Sequence, residues 1–258
     1  MTATSRWNPA IYLKFAGERL RPALDLVARI DMDAPGAIID LGCGAGNVTR
    51  LLAERWPGSV VTGVDSSAEM LAEARARQPD LGWIEADLAA WSPERPVDVL
   101  FSNAALHWLD DHQALFPRLV QGLRPGGILA VQMPRNHDQP SHQAMVTAAE
   151  AGPWYDRLRP HLRTRPVAPP DAYADILCPV SSFIDIWETV YWHVLEGDNP
   201  VVEWTKGTAL RPLLGALHGE ERTAFLGDYA ARVERAYPRR DDGSTLFPFR
   251  RLFIVARR

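Results

Sequence analysis

Between residues 37 and 134, short runs of β-branched and apolar residues alternate with stretches whose apolar positions recur every three or four residues. Short apolar or alternating runs predict strands, and the longer recurrence predicts amphipathic helices. The predicted strands are Ala37–Leu41, Ser59–Asp65, Gly82–Ala86, Val97–Ser102 and Gly127–Met133. The predicted helices between them are Asn47–Trp56, Ala68–Arg77 and Gln113–Gly122. Upstream, Leu20, Leu24, Val27 and Ile30 keep helical spacing, so Tyr12–Ile30 is expected to form one or two helices. The tetrapeptide Arg124-Pro125-Gly126-Gly127 is expected to stop the preceding helix and turn the chain into the fifth strand. Strand–helix alternation of this kind builds a parallel sheet with helices on both faces.

The alternation ends after Met133. Proline is dense from Pro153 to Pro179, with helical patches expected at Ser141–Glu150 and Ala172–Leu177. Phe183–Val194 is strand-like, because Ile184, Ile186, Val190, Trp192 and Val194 share one parity. A helical block over Val201–Tyr237 and a last strand over Leu246–Ala256 complete the pattern. Two late strands bracketing a helical block predict an antiparallel hairpin at one sheet edge, its connection enlarged into a cap. The expected organisation is a single α/β domain. Its Rossmann-like core takes residues of about 31–134, 180–195 and 245–258, and its helical cap about 135–179 and 196–244.

Size and charge narrow this picture. A chain of 258 residues suffices for one large domain with an inserted cap. The formal net charge of −4 offers no basic field, so no nucleic-acid partner is expected and an anionic ligand needs a local arginine cluster. The two cysteines, Cys43 and Cys178, are too few for a disulfide framework. Cys43 reads as a small turn residue, not a reactive thiol. No apolar run approaches the ~18 residues of a membrane span, and the first residues lack a signal-peptide core. A cytoplasmic location without a membrane partner is the expectation.

The run Ile38-Ile39-Asp40-Leu41-Gly42-Cys43-Gly44-Ala45-Gly46-Asn47 carries the most chemistry. A strand entering a glycine turn and then a helix lets backbone approach a ligand closely. A dinucleotide fingerprint is G-x-G-x-x-G. Here the last glycine, Gly46, stands one residue early and Asn47 takes its place. Asp40 suits an amine-bearing or cationic ligand better than a pyrophosphate; a turn-stabilising role is the alternative. Ligands of open α/β sheets lie beyond the carboxyl ends of the strands. Asp65 ends the second strand, where an acid can accept from both ribose hydroxyls, with Ser66 or Ser67 capping the next helix. The third strand ends at Glu85-Ala86-Asp87 and the fourth at Ser102-Asn103-Ala104, followed by Ala105-Leu106-His107-Trp108.

The D-x-G-x-G-x-G pattern from Asp40 to Gly46, with Asp65, Asp87 and Asn103 at later strand ends, resembles the class I S-adenosylmethionine-dependent methyltransferases. That resemblance implies a seven-stranded, mostly parallel sheet with an antiparallel final strand, S-adenosylmethionine as cofactor and no metal. It implies cofactor contacts from Asp40, Gly42, Gly44, Gly46 and Asn47 in the loop and from Asp65 and Ser66 at the ribose. Ala86 and Asp87 match the adenine position, and Asn103 and Ala104 the methionine moiety. A nicotinamide-dependent oxidoreductase and a non-catalytic subunit of the same fold stay open as alternatives.

The opening Trp7-Asn8-Pro9-Ala10-Ile11-Tyr12-Leu13, the segment Gly207-Thr208-Ala209-Leu210-Arg211-Pro212 and the ending from Arg251 to Arg258 narrow the resemblance. They are similar to members of that superfamily that methylate a carboxylate of a small tricarboxylic acid. Another acid, a phenol or an amine remains open as acceptor. A carboxylate is already ionised at pH 7, so no general base and no catalytic residue beyond positioning groups is expected. A tricarboxylate carries roughly three negative charges, which forked guanidinium donors hold best. Strand alternation puts Arg251 with Phe249 and Phe253, and Arg211 follows a turn in the cap. Both are candidate substrate clamps, with surface ion pairs the competing role. Tyr12 on a lid, His107 and Trp108 near the transferable methyl and Trp204 on the pocket wall complete the substrate set. Plain aromatic packing competes in each case.

Overall fold

In the computed structural model, residues 20–163 and 166–258 are described; Tyr12 and the first part of the helix expected over Tyr12–Ile30 lie outside them. The strands are β1 (Ala37–Leu41), β2 (Val60–Asp65), β3 (Gly82–Glu85), β4 (Val97–Asn103), β5 (Leu123–Pro134), β6 (Phe183–Leu195) and β7 (Thr245–Arg257). They form a seven-stranded sheet in the order β3-β2-β1-β4-β5-β7-β6. Pairings among β1 to β5 are parallel, and β7 runs antiparallel to β5 from Ile128↔Arg257 to Pro134↔Arg251. The strand order reverses between β1 and β4, which opens a crevice beyond their carboxyl ends. This is the expected sheet class.

Local sequence explains the elements. Ile38, Ile39 and Leu41 are buried on both faces of β1, the continuous apolar run of a doubly covered parallel strand. The helices around the parallel strands are α1 (Arg21–Val27), α2 (Asn47–Arg55), α3 (Ala68–Arg77) and α4 (His112–Gln121). Ser67 caps α3 by accepting the Met70 N–H at 3.3 Å, and Asp111 caps α4 by accepting the Ala114 N–H at 3.1 Å. The segment Arg124-Pro125-Gly126-Gly127 differs from expectation. It lies inside β5 as a bulge, because the register passes from Leu123↔Val97 to Ile128↔Val99. Gly126, at φ +80°, supplies the left-handed residue, and its N–H donates to the Arg258 carbonyl at 2.9 Å.

The chain divides into two compact units. The first comprises residues up to Pro134, Val167–Thr189 and Arg251–Arg258; the second comprises Arg135–Pro166 and Val190–Arg250. The helix Pro170–Leu177, read from the sequence as part of the cap, therefore lies in the first unit. Its Tyr173 and Leu177 are wholly buried in the same apolar cluster as Phe116 and Leu119 of α4. In the second unit the helical block expected over Val201–Tyr237 resolves into Pro200–Lys206, Arg211–Gly215 and Gly219–Ala236. Phe225, Tyr229 and Val233 of the last of these pack with Ala144, Ala148 and Ala149 of the helix Pro140–Glu150.

Strand β6 changes its burial along its length. Ile184 and Ile186 pack against the first unit's core, whereas Val190, Trp192 and Val194 are exposed and Tyr191 and His193 are buried. The shared apolar parity marks a strand but not a single buried face. No helix among the described residues is long and apolar enough to cross a membrane.

Candidate functional site

The glycine turn begins where β1 ends and is pinned to β2. The N–H groups of Gly42 and Cys43 both donate to the Val64 carbonyl, at 2.8 and 3.1 Å. Gly42, Gly44 and Gly46 have φ of 74°, 55° and 81°, the left-handed region that other residues enter at a cost. Space separates them further. A Cβ at Gly42 would stand 2.1 Å from the Ala105 Cβ, so the loop after β4 fills that side. A Cβ at Gly44 would meet only the Met70 Cε at 3.4 Å. The backbone open to a ligand is therefore at Gly44, while Gly42 and Gly46 are closed by protein. Asn47 is exposed at the start of α2, whose amino end has no side-chain cap. Such an end leaves unpaired N–H groups and a partial positive charge.

Asp65 ties the turn to the next strand end. Its Oδ2 accepts the Gly44 N–H at 2.8 Å and its Oδ1 accepts the Ser67 N–H at 2.9 Å. A carboxylate offers about four lone pairs, so acceptor capacity for ribose hydroxyls remains. Ser66 is exposed beside it. Asp40, expected either as a ligand partner or as a turn-stabilising residue, sits beneath the turn. It is only 1% exposed, and its Oδ2 accepts the Thr49 hydroxyl at 2.7 Å. Burial pushes its carboxyl up to about 7, against the Thr49 bond and reinforced by the charge of Asp65. Burial, with the nearby charges of Asp40 and Asp65, also pushes the Cys43 thiol well above its usual value, so it is an inert small residue.

At the third strand end Asp87 is exposed and folds on itself, its Oδ1 accepting the Ala89 N–H at 2.9 Å, with Ala86 half-buried before it. At the fourth, Asn103 Oδ1 is buried without a hydrogen-bond partner among the described residues. Ala104 follows at φ +55°, a non-glycine residue in the left-handed region. Strain of this kind costs about 1–3 kcal/mol and gathers at binding sites. His107 and Trp108 occupy the short turn Leu106–Trp108, rings tilted 41° with centroids 4.7 Å apart, and Trp108 is 46% exposed.

His112, Tyr173 and Gln132 were not foreseen from the sequence. His112 Nε2 lies 2.9 Å from the Leu106 carbonyl, which can only accept, so Nε2 carries the proton. Nδ1 then accepts from the Tyr173 hydroxyl at 2.6 Å, and Tyr173 in turn accepts the Ala168 N–H at 3.3 Å. This chain holds the turn that carries His107 and Trp108. Gln132, wholly buried on β5, accepts from Arg251 Nη1 through Oε1 at 3.3 Å. A polar residue within the apolar run Ile128-Leu129-Ala130-Val131-Gln132-Met133 was the one signal of it.

The structure thus gathers the loop glycines, Asp65, Asp87, Asn103 and Ala104 at the carboxyl ends of β1 to β4, with His107 and Trp108 just beyond β4. Arg251 is 6% exposed on β7 in the same unit. Trp204 and Arg211 belong to the second unit. There the Trp204 ring lies tilted or edge-on to His193, Phe247 and Phe249, with centroids at 4.6, 6.1 and 6.0 Å, and Arg211 is exposed at a helix start. Tyr12 lies outside the described residues.

Comparison with known proteins then decides the family. Residues 38–127 match the model of a methyltransferase domain. The chain is 50% identical over 97% of its length to a trans-aconitate 2-methyltransferase of Azoarcus sp. strain BH72, covering 98% of that protein. A protein of the same name from Rhodopseudomonas palustris strain HaA2 is 50% identical, with 97% and 98% coverage. This chain belongs to the trans-aconitate 2-methyltransferase family. The fold also matches a Haemonchus contortus phosphoethanolamine N-methyltransferase 2 solved with S-adenosylhomocysteine and phosphomonomethylethanolamine. There the TM-score is 0.54 at 16% identity, over 92% of this chain and 52% of that one.

Members of this family depend on S-adenosylmethionine, and the residues present fit it. The open backbone at Gly44, the unpartnered buried Asn103 oxygen and the spare acceptor capacity of Asp65 form a cradle for a cationic, hydroxyl-bearing nucleoside. The nicotinamide alternative falls with family membership.

Proposed function

We propose that this chain transfers a methyl group to one carboxylate of trans-aconitate, giving the monomethyl ester and S-adenosylhomocysteine. The observation that supports this most is the 50% identity over 97% of the chain to a protein named for that reaction. S-adenosylmethionine, when bound, supplies an electrophilic methyl group on a positively charged sulfur.

The chain's own work is binding and alignment. In this reading Asp65 and Ser66 receive the ribose, Ala86 and Asp87 the adenine, and Asn103 and Ala104 the methionine moiety. Gly44 gives its open backbone to the cofactor, while Gly42, Gly46 and Asn47 set the loop and helix start. Asp40, buried under the turn, shapes it through Thr49. The acceptor oxygen is ionised at neutral pH, so no residue needs to remove a proton. What accelerates the reaction is an oxygen held in line with the methyl group and shielded from water. Arg251 is the proposed anchor for the remaining negative charge, with His107 and Trp108 as aromatic contacts near the transferable methyl. A cytoplasmic location completes the proposal.

The test is direct. The purified chain, given methyl-labelled S-adenosylmethionine and trans-aconitate, should yield a labelled ester that mild base hydrolyses. Absence of label in trans-aconitate, with transfer to some other acceptor, would replace the substrate. Absence of transfer to any small acid would overturn the reaction.

A further inference from the structure

Gln132 stands at the carboxyl end of β5, opposite Asn103 of β4 in the parallel register and opposite Phe253 of β7 in the antiparallel one. It is wholly buried, and its neighbours along the strand, Val131 and Met133, turn into the apolar core on the other face. Its two amide ends face different fates. Oε1 accepts from Arg251 Nη1 at 3.3 Å. A guanidinium has donors only, so the amide orientation is forced: the oxygen faces Arg251 and the nitrogen faces away. That nitrogen, Nε2, is buried with no hydrogen-bond partner among the described residues. A buried donor left unpaired bears its full desolvation cost, and such groups are rare in a folded chain unless a ligand completes them.

What completes this one must accept hydrogen bonds and tolerate a neighbouring positive charge. A carboxylate meets both conditions, and a hydroxyl or amine meets them poorly. We infer that Gln132 is a specificity-determining residue of the substrate site: it aligns the Arg251 guanidinium through Oε1 and donates through Nε2 to the substrate carboxylate that Arg251 holds. The inference rests on the proposed trans-aconitate reaction and deepens it. It also gives Gln132 a reason to be polar at a place where the strand is otherwise apolar. The carboxylate so held is an anchor, because strong donors on an oxygen make it a poorer nucleophile; the methylated carboxylate is another.

Two substitutions test this. Gln132→Met keeps the volume and removes both polar contacts. Gln132→Glu puts a carboxylate beside Arg251 and in the path of the substrate anion, which it repels. The wild-type chain is assayed first with trans-aconitate, so that a failure of the reaction itself is seen separately; without wild-type turnover the inference falls with that reading. With turnover, Gln132→Met should raise KM for trans-aconitate about tenfold, with kcat and the affinity for S-adenosylhomocysteine changed less than about threefold. Gln132→Glu should raise KM by about a hundredfold with S-adenosylhomocysteine affinity again retained. On an Arg251→Met background, Gln132→Met should add less than about twofold, because the two side chains act as a unit. Unchanged KM in both single variants overturns the inference. So does a KM effect that multiplies independently of Arg251, or a parallel loss of S-adenosylhomocysteine affinity in both, which would make Gln132 a structural residue.

Discussion

The backbone N–H of Gly44 donates to Oδ2 of Asp65 at 2.8 Å, joining residues 21 positions apart in the chain. The glycine turn after β1 and the acid that ends β2 are thereby tied together. A ligand touching either meets a position set by both.

Asp65→Ala should therefore do two things. It removes the acceptor for Gly44 and for the Ser67 N–H, and it removes the proposed ribose ligand. Stability should fall by about 1–3 kcal/mol for the lost charge-assisted bonds, and S-adenosylhomocysteine affinity by at least about tenfold. Calorimetric titration and urea unfolding read the two separately. Unchanged affinity would refute the ribose role.

The loop glycines should respond differently to a single methyl group. Gly42→Ala drives a Cβ to within 2.1 Å of the Ala105 Cβ, so its cost is structural and large. Gly44→Ala, at φ +55° with only Met70 Cε at 3.4 Å, should cost about 1–2 kcal/mol of backbone strain and leave the protein folded. Its main effect should be weaker cofactor binding. Thermal melts with and without S-adenosylhomocysteine check this: equal ligand-induced shifts in Gly44→Ala and wild type would show that the open side of Gly44 is not where the cofactor lies.

Asp40 gives stability a definite pH dependence. Its carboxyl is raised from 3.8 to about 7 in the folded protein, mainly by burial. As pH rises past 4 the unfolded chain loses this proton while the folded one keeps it. The contribution to stability thus falls between about pH 4 and pH 7 and is level above that window. Asp40→Asn has no proton to lose and keeps an acceptor for Thr49. Its stability relative to wild type should rise by a few kcal/mol from pH 4 to 8, measured by urea unfolding. A difference that does not vary with pH would mean that Asp40 is solvated.

In the second unit the sign is reversed. His137 and His142 lie with ring centroids 5.8 Å apart, and burial lowers both from 6.5 to about 4. For His137 the nearby Asp138 opposes that fall, while Arg135 and Arg163 add to it. As pH falls below 6.5 the unfolded chain takes up protons that the folded rings refuse, so stability is lost from about pH 6.5 down to 4. His142→Gln should flatten that acid limb by about 1–3 kcal/mol between pH 6.5 and 4.5. An unaltered limb would place the acid sensitivity elsewhere.

Much of this protein was legible in its sequence because the signals were local. The pattern of apolar residues marked β1 and α3 to the residue, since a short apolar run, helical spacing and capping act within a few positions of the chain. The D-x-G-x-G-x-G run marked the turn because left-handed backbone calls for glycine wherever it occurs. The Arg124–Gly127 segment is a bulge and not a connecting turn: Pro-Gly chemistry looks alike in both, and only the pairing of its flanks with Val97 and Val99 distinguishes them.

Burial and partnership were not legible, because they depend on residues far apart in sequence. The sequence placed an acid at position 40 and another at 65. Only folding put Asp40 beneath the turn on Thr49 and left Asp65 holding Gly44. It held an arginine at 251 and a glutamine at 132, but nothing in their spacing of 119 residues joined them. Local backbone preferences determined the strands, helices and turns. Packing of the sheet decided which polar groups lost water, and so which of them are left seeking a ligand.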